Sequence, residues 1–184
     1  MATMYTCYGA IETHIFERLK EVSLTVFDID GTLTDGGIYL GNEGEEFKRF
    51  YCKDGYGIAS LVRCGLYCAV ITGRSSQLVR RRCEDELKMQ FVLQGVADKA
   101  PAVEKIQREL GLRPAQTAVM GDDLNDLPMM QPEALKVCPS DAHPYLKQSC
   151  DLTLHFKGGC GAARELCDLI LMAHGLMTPE GCWA

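Results

Sequence analysis

Asp28 and Asp30 stand two residues apart at the end of an apolar run, Val22, Leu24, Val26 and Phe27, and lead into Gly31-Thr32-Leu33-Thr34-Asp35-Gly36. In extended backbone, residues i and i+2 face the same way, so the two carboxylates share one pocket. Like charges that close repel unless a cation sits between them, which makes the pair a candidate metal centre. Taken alone, the same residues also read as a strand ending in an Asx turn. Three further polar signatures occupy comparable places. Ala69-Val70-Ile71 runs into Thr72-Gly73-Arg74, whose hydroxyl and amides, set at a helix N-terminus, would cradle a phosphate. Asp98-Lys99 opens a helical stretch, where a cation opposes the macrodipole unless an anion compensates. Ala118-Val119-Met120 runs into Gly121-Asp122-Asp123-Leu124-Asn125-Asp126, an acidic strand end that alone would be an Asx turn capping the next helix.

The elements that must position these residues alternate. A short amphipathic helix is predicted from Ile11 to Lys20, then the first strand, then a β-hairpin from Ile38 to Phe50 around Gly41-Asn42-Glu43-Gly44, a flap beside the acids. Asp54 is the predicted N-cap of the following helix. From Tyr67 onward the pattern is strand 67–71, helix 76–87, strand 91–93, helix 99–110 and strand 117–120. It continues through 127–131, 135–137, 144–148, 152–154 and a last helix at 162–174, with residues after Gly175 loosely held. Such alternation predicts an α/β fold, a three-layer Rossmann-like parallel sheet with helices on both faces, and places the four signatures at its C-terminal edge.

At 184 residues, 47% hydrophobic and 24% charged, the chain suits one ordinary globular domain over 1–184. A net charge of -6 excludes nucleic acid and anionic membrane surfaces as partners, which would need a basic field. A small anionic substrate would need local cations, for which Lys53, Arg74, Arg80-Arg81-Arg82 and Lys99 are the candidates. Ten cysteines include no C-x-x-C pair, so neither zinc nor redox spacing is present, and most are expected as small core hydrophobes. Glu12 and Glu17 interrupt the N-terminal apolar residues, so no signal peptide is expected and the cytoplasm is the expected compartment.

Acid pair, hydroxyl, lysine and acid cluster, in that order, resemble the haloacid dehalogenase superfamily of aspartate-dependent phosphotransferases. The resemblance implies Asp28 as the nucleophile that forms an aspartyl-phosphate. Asp30 would protonate the leaving oxygen and later deprotonate the hydrolytic water. Mg²⁺ would be held by Asp28, the Asp30 backbone carbonyl and Asp122, an oxygen-only set that suits it. Thr72 and Lys99 would bind the phosphoryl oxygens. Asp123 and Asp126 would stand behind them, Asp126 anchoring Lys99 or the metal's waters.

Only about 37 residues separate Asp35 from Thr72 and about 27 separate Thr72 from Lys99, too few for the cap domain of larger relatives. The chain is similar, from Val22 to Gly175, to the capless 3-deoxy-D-manno-octulosonate 8-phosphate phosphatase family. Four stretches carry the likeness: 28–36, Gly44 to Lys48 with Asp54 to Ile58, Gly121 to Pro128, and Gly158-Gly159-Cys160-Gly161-Ala162-Ala163-Arg164-Glu165. The resemblance implies a phosphorylated sugar-acid substrate, a step in lipopolysaccharide precursor synthesis, and a homotetramer with paired hairpins and tails reaching a neighbour's site. Arg74 and Arg82 would recognise the sugar's carboxylate, Gly73 and the Thr72 hydroxyl the phosphate, and Asp54 and Gly55 would line the sugar's path. Ala59 stands where some relatives carry arginine. A nine-carbon sugar-acid phosphatase is the rival reading, although such relatives tend to carry glutamate in place of Arg74. A non-catalytic tetramerising domain of the same fold is the other.

Overall fold

The structure is a computed structural model that describes residues 2–183. Its centre is a six-stranded, all-parallel sheet of order β10-β9-β8-β3-β6-β7. The strands are β3 (Leu24–Phe27), β6 (Tyr67–Ile71), β7 (Phe91–Leu93), β8 (Thr117–Met120), β9 (Leu135–Cys138) and β10 (Leu152–Thr153). Alternation along each strand feeds two cores. Phe27, Cys68, Val70, Ala118 and Met120 face one side, and Leu24, Val26, Ala69, Ile71 and Val119 the other. Helices α1 (Thr13–Glu21), α2 (Cys52–Arg63), α3 (Gln77–Val79, widening into a π-helix over Arg80–Glu86) and α6 (Ala162–Ala173) cover the first face. Helices α4 (Lys99–Leu110) and α5 (Pro144–Ser149) cover the second, with a 3₁₀ helix over Leu124–Met129. Pro128, which cannot donate a backbone hydrogen bond, sits inside that 3₁₀ stretch.

The expected three-layer α/β fold is therefore present, with a hairpin, β4 (Tyr39–Leu40) and β5 (Glu46–Phe47), standing where larger relatives carry a cap. Among the described residues no helix is long and apolar enough to cross a membrane. Three local expectations need correction. The N-terminal helix does not begin at Ile11. That residue lies in β2 (Gly9–Glu12), paired antiparallel with β1 (Thr3–Thr6) around a turn in which Gly9 takes a φ of +105°. The tail expected to lie loose turns back: Met177 is buried and bridges Trp183, and the Cys7 N–H donates to the Pro179 carbonyl at 2.7 Å. Of the ten cysteines, Cys68, Cys83, Cys138 and Cys167 are buried as expected, whereas Cys7, Cys52 and Cys182 are exposed.

Candidate active site

The central position of β3 decides what meets what. Phe27 pairs with Val70 on β6 and with Met120 on β8, so Asp28, Thr72 and Asp122 emerge side by side from three adjacent strand ends. The Asp28 N–H still donates to the Met120 carbonyl at 3.0 Å, which fixes the backbone from which its side chain projects. Lys99, the first residue of α4, supplies the charge that a helix N-terminus disfavours, and its compensating anions are visible. Its Nζ lies 2.5 Å from Asp28 Oδ1 and 2.6 Å from Asp126 Oδ1, all three side chains being buried. Asp126 Oδ2 accepts the N–H groups of Asp122 and Asp123 at 2.8 and 3.2 Å, so Asp126 anchors both the lysine and the turn that carries Asp122. Asp123 is exposed and caps the 3₁₀ helix through Leu124 N–H.

Asp28, Asp122 and Asp126 offer carboxylate oxygens all within 4.8 Å of one another. Burial, then the Asp126 charge, raises Asp28 to about 6 against the opposing pull of Lys99. Burial, then Asp126 and Asp28, raises Asp122 to about 7, although Thr32 Oγ1 donates to it at 3.0 Å. Burial pulls the Lys99 ammonium down, but Asp28 and Asp126 outweigh it and hold it above its ordinary value. Three carboxylates against one ammonium leave two negative charges, the amount a divalent cation neutralises, and the donors are all oxygen, as Mg²⁺ prefers. The residues thus fit a divalent cation. Close packing fixes the loop around them. Gly31 has a φ of +96°, and a Cβ there would strike the Asp122 carboxylate. A Cβ on Gly158 would strike the Gly31 carbonyl, so the glycine-rich segment before α6 lies directly on the loop after β3.

Thr72 is buried, and its Oγ1 accepts the Arg74 N–H at 3.4 Å. The Thr72–Gly73 amides are not at a helix N-terminus as expected, because α3 begins at Gln77 with Ser76 as its N-cap. Nor does Asp54 cap α2: that helix starts at Cys52, and the two Asp54 oxygens accept Gly161 N–H at 3.2 Å and Arg164 N–H at 2.8 Å. Buried beneath α6, with both oxygens engaged, Asp54 holds that helix's N-terminus. Gly55 abuts the guanidinium of Arg82, which pairs with Glu86 at 2.9 Å. Arg74 reaches Glu46 on the flap at 3.3 Å and lies 4.0 Å from Asp30 Oδ2. One cation at the site is not among Lys53, Arg74, Arg80 to Arg82 and Lys99: Lys48, the residue after β5, contacts Asp30 Oδ1. Its only trace in the sequence is its place within Gly44 to Lys48.

A parallel sheet that delivers a nucleophile-like aspartate, a threonine, a helix-opening lysine and a second acid cluster to one edge defines the haloacid dehalogenase-like hydrolases, and the family profile of that description matches residues 89–166. The chain is 42% identical to the 3-deoxy-D-manno-octulosonate 8-phosphate phosphatase of Salmonella typhi over 95% of this chain and 92% of that one. The crystal structure of the enzyme of that name from Yersinia pestis superposes with a TM-score of 0.92 at 41% identity, covering 95% and 94% of the two chains. That from Moraxella catarrhalis, in complex with magnesium ion, phosphate ion and a KDO molecule, gives 0.86 at 37%, covering 90% and 94%. The chain belongs to the 3-deoxy-D-manno-octulosonate 8-phosphate phosphatase family.

Proposed function

We propose that this protein is a Mg²⁺-dependent phosphatase that hydrolyses 3-deoxy-D-manno-octulosonate 8-phosphate to the free sugar acid and inorganic phosphate through an aspartyl-phosphate. The observation that carries the reading is the buried Asp28, held 2.5 Å from Lys99 and grouped with Asp122 at the strand edge. A phosphate dianion repels nucleophiles and its alkoxide leaves poorly, so the site must neutralise charge and supply a proton. A divalent cation held by Asp28, the Asp30 carbonyl and Asp122 supplies that neutralisation. Asp28 attacks phosphorus while Lys99 and the Thr72 hydroxyl hold the phosphoryl oxygens. Asp30 gives its proton to the departing sugar oxygen, then takes one from the water that cleaves the aspartyl-phosphate.

Arg74 and Arg82 meet the sugar's carboxylate, for which guanidinium geometry is suited. The half-exposed position of Arg74 beside Asp30 supports its part. A cavity of about 200 Å³ lined by Arg82, Arg81, Lys48, Phe50, Leu78 and Glu86 supports that of Arg82. The protein works as a homotetramer in the cytoplasm, and the exposed Ile38, Tyr39, Leu40 and Phe47 of the flap support the assembly.

The test is phosphate release from a panel of sugar-acid phosphates with Mg²⁺. Asp28→Asn and Asp30→Asn abolish steady-state turnover of every sugar-acid ester, whereas Arg74→Ala mainly lowers kcat/KM for the eight-carbon acid. Equal loss on unrelated esters would remove Arg74 from the specificity role, and full activity of Asp28→Asn would end the aspartyl-phosphate reading.

A further inference from the structure

Lys48 is the least expected residue at this site. Lys48 stands just past β5 and two residues after Glu46, and the contact between them shows both side chains leaving the flap on the same side. Lys48 Nζ contacts Asp30 Oδ1 and lies 3.5 Å from Glu46 Oε1. Arg74 Nη2 lies 3.3 Å from the same Glu46 oxygen, and Arg74 Nε lies 4.0 Å from Asp30 Oδ2. The four side chains form a closed ring of alternating charge that joins the flap to the loops after β3 and β6. The two cations in it are not equivalent. Only 2% of the Lys48 side chain is exposed, against 48% for Arg74. A solvent-screened guanidinium fixes little, whereas a buried ammonium on a charge-assisted bond fixes its acceptor.

We propose that Lys48 is a positioning residue for Asp30, making the seating of the flap a condition for proton transfer to the leaving sugar. The inference rests on the acid–base role given to Asp30 above. Lys48 occupies Oδ1 and so orients the carboxyl group. Oδ2, with Arg74 beyond hydrogen-bond reach, is the oxygen left to give a proton to the sugar alkoxide as the P–O bond breaks and to take one from water in the second step. When the flap lifts, Asp30 loses this restraint and the acid swings out of line. An uncapped site thereby gains what a cap supplies elsewhere, a catalytic group competent only when the cleft is covered.

Single-turnover release of the leaving group separates this role from a structural one. An alkyl ester, the sugar-acid phosphate, needs the proton, whereas 4-nitrophenyl phosphate releases a stable phenolate without it. Lys48→Met slows alkyl release by on the order of 100-fold, the low end of what a general acid contributes, and changes aryl release and both KM values less than about threefold. Lys48→Arg restores most of the alkyl rate. Lys48→Gln, close in length and uncharged, repeats the selective loss should the methionine variant fold poorly. An equal loss on both esters, or a wild-type alkyl rate in both uncharged variants, overturns the proposal. Asp30→Asn in the same assay checks the reading beneath it. If that variant discriminates between the esters no more than wild type does, Asp30 is not the acid and both ideas fall. If it does discriminate and Lys48→Met does not, Lys48 alone is released from the role.

Discussion

At the scale of single residues, the site is a concentration of negative charge that the fold tolerates because Lys99 lies within it. Lys99→Met removes the ammonium from between Asp28 and Asp126 and leaves two buried carboxylates facing each other. The expected cost near pH 8 without metal is about 3–5 kcal/mol, read by urea unfolding. The same crowding makes stability depend on pH with a definite sign. Asp28 and Asp122 titrate near 6 and 7 in the folded chain, above the ordinary carboxylate value of 3.8, so the folded state binds protons more tightly than the unfolded one. Their contribution is therefore fully present below about pH 4 and is lost as pH rises through about 7. Metal-free protein should melt at a lower temperature at pH 8 than at pH 5.5, and added Mg²⁺ should raise the melting temperature more at pH 8. An equal Mg²⁺ effect at both pH values would show that these carboxylates are not the ligands. Asp28, Thr72, Lys99 and Asp122 were legible because each follows a strand or opens a helix. Lys48 was not, because Glu45-Glu46-Phe47-Lys48-Arg49 reads as the solvated face of a hairpin, and nothing local says that one of its charges is buried.

At the scale of elements, the strands and helices from Tyr67 to Ala173 lie close to where periodicity put them, since each buries an apolar face of matching period. The N-terminal hairpin escaped because its strands have four residues each and present mostly exposed positions, leaving no alternation to read. Asp54 misled for a related reason. An acid ahead of an apolar helical face is a plausible cap for its own helix, and only the tertiary approach of α6 reveals that it caps another. The glycine-rich stretch before α6 was distinctive in sequence without an evident purpose, and the structure supplies one: Gly158 packs on the Gly31 carbonyl, and Gly159 N–H donates to the Thr32 carbonyl at 2.9 Å. α6 is thus keyed to the loop that carries Asp30. Because the atom in the way belongs to the backbone, Gly158→Ala forces that loop to move. The expected outcome is about 1–3 kcal/mol of destabilisation together with a fall in kcat of at least about tenfold, since small misplacements of reacting groups are costly. A variant that loses stability by that amount and keeps wild-type kcat would show that the contact supports the fold alone.

At the scale of the whole molecule, the sheet and its two helical layers bury most of the large apolar side chains, and among those left exposed one group is concentrated on a single small element. Ile38, Leu40 and Phe47, exposed by 58%, 70% and 60%, gather on a two-stranded flap with too few residues to hold a core of its own. Single exposed apolar residues are ordinary, but a cluster on a thin hairpin marks a surface made to be covered. In a molecule without a cap, the element that covers the cleft is also the element that must be steadied from outside. If flaps pair between copies, assembly and catalysis are linked through Lys48. Charging the patch by Ile38→Glu together with Leu40→Glu should reduce the particle from about four times the 20.3 kDa chain mass to a single chain, measured by light scattering during gel filtration. Neither position lies in the catalytic ring, so the loss should fall on alkyl more than on aryl esters, as for an unsteadied flap. A wild-type protein that already runs as one chain at micromolar concentration would remove the tetramer. A dispersed variant with undiminished activity on the sugar-acid ester would show that each flap seats unaided.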